Sequence, residues 1–193
     1  MKKYCWLIFS IILFACSHAK YKNPHVLITT VYGDVEVELF PGKAPKTVAA
    51  FLSYVDSGFY KNSSFYRVQT NENVPPENNA GLIQGGIYKT NPDKLRQLPG
   101  IVHEPTKQSG LLHVDGTISL ARTTPGTAST EFFICIGDQP QFDYNASANG
   151  DGQGFATFGT VVNGMEVIRK IQNTPSHGDV FDTQLKIINI ERL

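Results

Sequence analysis

Glycine and proline punctuate this chain at 17 and 11 positions, which argues for many turns and, with few long helical patterns, leans toward a β-rich fold. The intervals between them are short, and most carry the period of a strand rather than that of a helix. Residues 26–39 are the clearest case. Val35, Val37 and Leu39 alternate with Glu36 and Glu38, Gly33-Asp34 marks a hairpin turn, and Pro41-Gly42 ends the run. Successive side chains of a strand point to opposite faces of a sheet, so this alternation describes a half-buried strand. Shorter strand patterns fall at 64–68, 81–87, 116–121, 131–137, 155–162 and 185–190.

Two segments read as helix. Residues 45–57 place Val48, Phe51, Leu52 and Val55 on one face, with Pro45 in the first turn and Gly58 just past the end. Asn163 is placed to cap a second helix, in which Met165, Ile168 and Ile171 line one side. Residues 69–79 and 138–154 read as loops, and 91–116 is long and mixed without a dominant period. Many short strands with two helices point to a mainly β fold whose sheet closes on itself, because closure removes exposed edges.

The first residues stand apart from that fold. Lys2 and Lys3 form a basic start, and residues 4–15 are almost wholly apolar. That run is shorter than the roughly 20 residues a membrane-spanning helix needs and fits a secretory signal. Leu13-Phe14-Ala15-Cys16 resembles a bacterial lipobox, with Cys16 as the lipid-modified residue, although Phe at its second position is unusual. Ser17-His18-Ala19 alternatively offers ordinary cleavage before Lys20. The expected organisation is a signal at 1–15, a tether at 16–25 and one domain at 26–193. The protein is then exported and periplasmic, held to a membrane only through its N-terminal lipid; the alternative is a soluble periplasmic or secreted protein. Cys5 lies in the signal, and Cys135 sits in the apolar run Phe132-Phe133-Ile134-Cys135-Ile136 as a buried core thiol. No disulfide framework follows from these cysteines.

Bulk charge excludes other classes. Lys plus Arg and Asp plus Glu both number 17, so no basic field points to nucleic acid. None of His18, His25, His103, His113 and His177 pairs with Cys or another His at a metal-ligand spacing, so no metal and no cofactor is expected. Gly150, Gly152 and Gly154 lack the Lys of a phosphate loop and the Glu of a calcium loop, and read as a flexible loop.

Chemistry enters through an ordered series of short motifs. These are Phe65-Tyr66-Arg67-Val68, Gln84-Gly85-Gly86, Gly116-Thr117-Ile118-Ser119-Leu120-Ala121-Arg122, Thr130-Glu131-Phe132-Phe133-Ile134, Phe158-Gly159 and Val162-Asn163-Gly164-Met165. Each alone is weak. In this order and spacing they resemble the cyclophilin family of peptidyl-prolyl cis-trans isomerases, over residues 26–193. The resemblance implies a closed eight-stranded antiparallel barrel capped by two α-helices, with a substrate groove on its outer face.

It also implies roles. Arg67 matches the family's catalytic Arg, expected to hydrogen bond to the prolyl amide as it twists, and Gln84 matches the Gln that binds substrate backbone and helps orient that Arg. Phe133 matches the aromatic floor of the proline pocket. Leu82, Phe142 and Phe155 match its apolar surround, and Ala121 with Arg122 matches an Ala-Asn pair that contacts substrate backbone. Four positions depart from the pattern. Tyr66 stands where many members carry His, and Glu131 where Gln is common; a carboxylate there is in a position to pair with Arg67 or Arg122. Gly81 replaces a pocket Phe, which implies a shallower groove. Gln141 aligns with a Trp, and the insertion at 69–80 lies beside the Arg67 strand. The implied partners are proline-containing unfolded or flexible polypeptides, and a closed barrel gives no reason for an oligomer. The alternative function is a binding module or chaperone of the same fold that holds such segments with little or no catalysis.

Overall fold

The computed structural model describes residues 21–70, 75, 79–146 and 150–193. The signal, Cys16, the cleavage site before Lys20 and most of the 69–80 insertion lie outside the described residues.

Among the described residues the strands are β1 (His25–Thr30), β2 (Gly33–Leu39), β3 (Ser63–Gln69), β4 (Gly81–Gly86), β5 (Thr117–Leu120), β6 (Phe132–Ile136), β7 (Ala156–Asn163), β8 (Ser176–His177) and β9 (Val180–Arg192). They hydrogen bond in the order β1-β2-β7-β5-β6-β4-β3-β9, and β1 then pairs with β9. Eight antiparallel strands thus close into a barrel, and the two-residue β8 is appended to β9. The helices are α1 (Pro45–Asp56), α2 (Pro92–Gln97), α3 (Thr106–Ser109) and α4 (Met165–Gln172). The expected barrel and its two larger helices, α1 and α4, are present; α2 and α3 are additional and resolve the mixed segment. Helix α2 buries no residue and α3 has four residues, so neither writes an apolar period into the sequence.

Strand β6 shows how the site is positioned. Phe132, Ile134 and Ile136 face the main core inside the barrel, while Phe133 and Cys135 face a smaller outer cluster with Leu82 and Phe142. Both faces are buried, which is why this strand is apolar throughout rather than alternating. The same two-faced logic places Ile83 of β4 inside and its neighbours Leu82 and Gln84 toward the groove.

Helix α1 buries Val48, Phe51, Leu52 and Val55, as its periodicity requires. Phe51 packs against Phe132, Phe158 and Tyr60 with ring centroids 5.0–6.0 Å apart. The residue before the helix, Ala44, has no side chain able to cap it. Glu104, buried and distant in sequence, takes that role: its carboxylate accepts from Lys46 N at 3.2 Å, Thr47 N at 2.8 Å and Thr47 Oγ1 at 2.8 Å. An acid at the positive end of a helix, serving two orphaned amides, stabilises it. Replacing Glu104 with Ala is therefore expected to cost about 2–3 kcal/mol, because buried donors lose a charged partner. Urea denaturation reads this as a lower midpoint at unchanged slope. Helix α4 starts after Gly164 rather than Asn163, which ends β7, and no side chain caps it.

Candidate active site

Strand β3 carries a β-bulge. Phe65 pairs with Gly85 and Arg67 with Gln84, so Tyr66 and Arg67 together oppose one residue of β4. The register of β9 shifts at the same place. A bulge re-aims side chains. Phe65 and Val68 enter the core while Tyr66 and Arg67 both reach the outer groove.

That groove has a volume of about 660 Å³. It collects the ten residues to which the resemblance gives a place at the site: Arg67, Tyr66, Leu82, Gln84, Ala121, Arg122, Glu131, Phe133, Phe142 and Phe155. Tyr88, Leu95 and Leu98 add a further wall that the motifs do not announce. The two leucines come from α2 and the residue that follows it, the segment without a legible period.

The polar side is one connected chain. Arg67 Nη2 donates to Asp179 Oδ2 at 2.8 Å, and Nη1 donates to Gln84 Oε1 at 3.3 Å. Gln84 Nε2 donates to the Tyr66 hydroxyl at 2.7 Å, which donates to Glu131 Oε2 at 2.6 Å. Glu131 Oε1 accepts from Ile87 N at 2.8 Å, Tyr88 N at 3.0 Å and Thr130 Oγ1 at 3.0 Å. Glu131 thus pairs with neither Arg67 nor Arg122, contrary to the expectation from charge alone. Four neutral donors already surround its carboxylate, at a site only 9% exposed. Burial raises its pKa, and the hydrogen bonds from Tyr66, Thr130, Ile87 and Tyr88 oppose that rise. Burial likewise pushes the Tyr66 hydroxyl well above its usual range, so it stays protonated. Asp179, which the motifs do not mark, is held below the usual carboxylate range chiefly by its hydrogen bond with Arg67. It reaches the site because β8 and β9 form a tight hairpin in which Val180 pairs with both His177 and Arg67.

The apolar side is an aromatic box. Phe133, Phe142 and Phe155 meet mutually edge to face, with centroids 5.4–5.5 Å apart. His113 stacks on Phe133 at 5.8 Å and 9°. It is buried, with Nδ1 2.7 Å from Asp143 Oδ1 and Nε2 3.0 Å from Ser119 Oγ. Burial lowers its pKa, and a neutral ring donating to Asp143 and accepting from Ser119 satisfies both contacts. Burial raises the pKa of the Cys135 thiol far above its usual range, and the thiol serves as packing.

Arg122 does something its alignment does not imply. Its side chain is 1% exposed, and its guanidinium grips Asp151 at 2.7 and 3.0 Å and Gly154 O at 3.0 Å. It also lies over Phe155, 5.2 Å from the ring centre. These donors are committed to the 150–154 loop, so Arg122 fixes a groove wall and Phe155. The loop is pinned there, where a flexible one is expected: Asp151 accepts from Gln153 N at 2.8 Å, and Arg122 draws its pKa down to about 2. Gly81 also departs from expectation. Its φ is 151°, and a Cβ there would sit 2.0 Å from Gln69 O, so the position is closed by backbone. It lies outside the main groove, in a smaller polar hollow with Gln141, and its lack of a side chain does not make the groove shallower. Among the described residues no three His, Cys, Asp or Glu side chains converge to hold a metal ion.

Comparison with known proteins agrees with this geometry. Residues 25–192 match the family described as cyclophilin type peptidyl-prolyl cis-trans isomerase. The chain is 35% identical to a peptidyl-prolyl cis-trans isomerase of Acinetobacter baylyi over 175 residues, covering 88% of this chain and 85% of the relative. It is 34% identical to peptidyl-prolyl cis-trans isomerase B of Escherichia coli, covering 76% and 83%. Among solved structures it resembles a Cryptosporidium parvum cyclophilin type isomerase with a TM-score of 0.67, at 25% identity, over 88% of this chain and 97% of that one. A second structure of that protein, in the presence of the dipeptide Ala-Pro, gives a TM-score of 0.65 at 26% identity, over 86% of this chain and 97% of that one. Motif order, barrel topology and a groove that unites every matched residue converge on one conclusion: this chain is a member of the cyclophilin-type peptidyl-prolyl cis-trans isomerases.

Proposed function

We propose that this isomerase acts on X-Pro bonds of exported, unfolded or flexible polypeptides, and that Arg67 is its catalytic residue. The observation that carries the second part is the placement of a guanidinium and an aromatic box in one groove. An X-Pro bond rotates against a barrier of about 18–20 kcal/mol that comes from amide resonance. Rotation takes the carbonyl out of conjugation and makes the proline nitrogen pyramidal and basic. A catalyst needs a donor aimed at that nitrogen and a dry surface that grips the ring; it needs no nucleophile. Phe133, Phe142, Phe155 and Leu82 supply the apolar grip, and Arg67 supplies the donor. A contact that strengthens only as the nitrogen loses conjugation favours the twisted state over both planar isomers.

The test is the rate of cis-to-trans conversion of an X-Pro peptide with the purified protein, beside Arg67→Ala. Acceleration lost in the variant supports the reading. Peptide binding without acceleration would leave a binding module instead.

The export reading rests on the basic start, the short apolar run and the lipobox at Cys16. Replacing Cys16 with Ser is expected to move the protein from the membrane to the soluble fraction and to remove the mass of the lipid. Unchanged fractionation and mass would leave cleavage before Lys20 as the better account. Among the described residues the closed barrel leaves no long strand edge for a second copy to extend, which supports a monomer.

A further inference from the structure

The hydrogen-bond chain behind Arg67 has a direction, and that direction is set at its buried end. Gln84 is the ambiguous link, because its amide carries an acceptor on one side and donors on the other. Turned one way it offers Oε1 to Arg67; turned the other way it sets Nε2 against the guanidinium, donor against donor. The Glu131 carboxylate accepts on both oxygens, from Ile87 N, Tyr88 N and Thr130 Oγ1 on Oε1 and from the Tyr66 hydroxyl on Oε2. Tyr66 must therefore donate to it, and the hydroxyl oxygen is left as an acceptor for Gln84 Nε2 at 2.7 Å. Gln84 Oε1 then has to face Arg67.

The carboxylate is built in. Backbone N–H groups of Ile87 and Tyr88 hold it. Gly86, at φ 145°, leaves the space where a Cβ would lie 2.4 Å from Glu131 Oε1.

We propose that Glu131 and Tyr66 are positioning residues for catalysis: together they fix the polarity of the Gln84 amide so that its oxygen holds the Arg67 guanidinium. The two positions that depart from the residues common in the family, Tyr66 and Glu131, contact each other at 2.6 Å. The inference rests on the assignment of Arg67 above.

Glu131→Gln is the informative variant because it keeps shape and reverses polarity. Its amide oxygen can still accept from Ile87 and Tyr88, but its NH2 now donates to the Tyr66 oxygen. The phenol hydrogen must turn to Gln84, which flips and presents Nε2 to Arg67. We expect kcat/KM to fall about tenfold, mainly in kcat, as one oriented hydrogen bond is lost. Tyr66→Phe is expected to fall less, since Gln84 is then free to choose either orientation. In the Tyr66→Phe background Glu131→Gln is expected to add nothing, because the hydroxyl is the hydrogen-bonded link between Glu131 and Gln84. Full activity of Glu131→Gln, or an equal loss with and without the Tyr66 hydroxyl, would overturn the proposal.

Should Glu131→Gln not fold, the Gln84 side-chain amide decides by NMR. Its two Nε2 proton signals stay separate because rotation about the amide C–N bond is slow, but they are expected to move toward free-amide chemical shifts in Tyr66→Phe as the acceptor at 2.7 Å is lost, and unchanged shifts would overturn the idea. The amide signals read polarity independently of turnover. An undiminished rate in Arg67→Ala would therefore refute the catalytic assignment without bearing on them.

Discussion

Arg67→Ala is expected to lower kcat/KM by roughly 10²–10³-fold, the cost typical of removing one donor aimed at charge that develops in a transition state. KM should move little, because the proposed grip on substrate is the aromatic box, and the loss should sit in kcat. Stability should hardly change. The Arg67 side chain is 39% exposed and its partner Asp179 is 54% exposed, and solvent-screened ion pairs contribute little to folding. NMR exchange spectroscopy on an X-Pro peptide together with a melting curve separates the two effects. Arg67→Lys should recover only part of the loss. A single ammonium cannot span Gln84 and Asp179 as the planar fork does while still facing substrate. A rate within a few-fold of the parent would remove Arg67 from the chemistry.

Phe133→Ala is expected to destabilise the protein by about 3–5 kcal/mol, the range for deleting a buried ring. Phe133 is only 2% exposed, and it holds His113, Phe142 and Phe155 together. Urea denaturation measures the loss. Where the variant still folds, KM should rise as well, since the same ring is the proposed floor for proline. The opposite split from Arg67→Ala is the informative result: a large stability change with weaker binding for the floor, a large kcat change at constant stability for the donor. A loss below about 1 kcal/mol would mean that the cluster closes over the gap.

A closed, mainly β fold was legible in the short strand patterns, clearest at 26–39, and its two larger helices in their apolar faces; the eight-stranded barrel was implied by the motif resemblance, since strands buried on both faces, such as β6, do not alternate. The polar groove residues were legible only through the order of short motifs, since no local rule separates Gln84 from any other strand glutamine. What stayed hidden depends on contacts distant in sequence. Asp179 meets Arg67 through a hairpin at the far end of the chain. Glu104 caps a helix that lies more than fifty positions before it. Glu131 invites pairing with an arginine by charge, yet a tyrosine and two backbone amides reach it first. Leu95 and Leu98 are invisible because α2 packs too little of itself for periodicity to register.

Closure of the barrel carries a consequence for how the protein is made. The strand that seals it, β1, pairs on one side with its sequence neighbour β2 and on the other with β9, with Ile28 opposite Ile190 and Leu193 N donating to His25 O at 3.1 Å. The final seam therefore joins the first strand of the domain to its last. While a chain is still being synthesised, β1 has one partner and an open edge, an invitation to mispairing. The seam cannot form until the last residues have emerged, and long-range pairings of this kind are slow to assemble. This prolyl isomerase thus depends, for its own completion, on the slowest class of contact its topology contains.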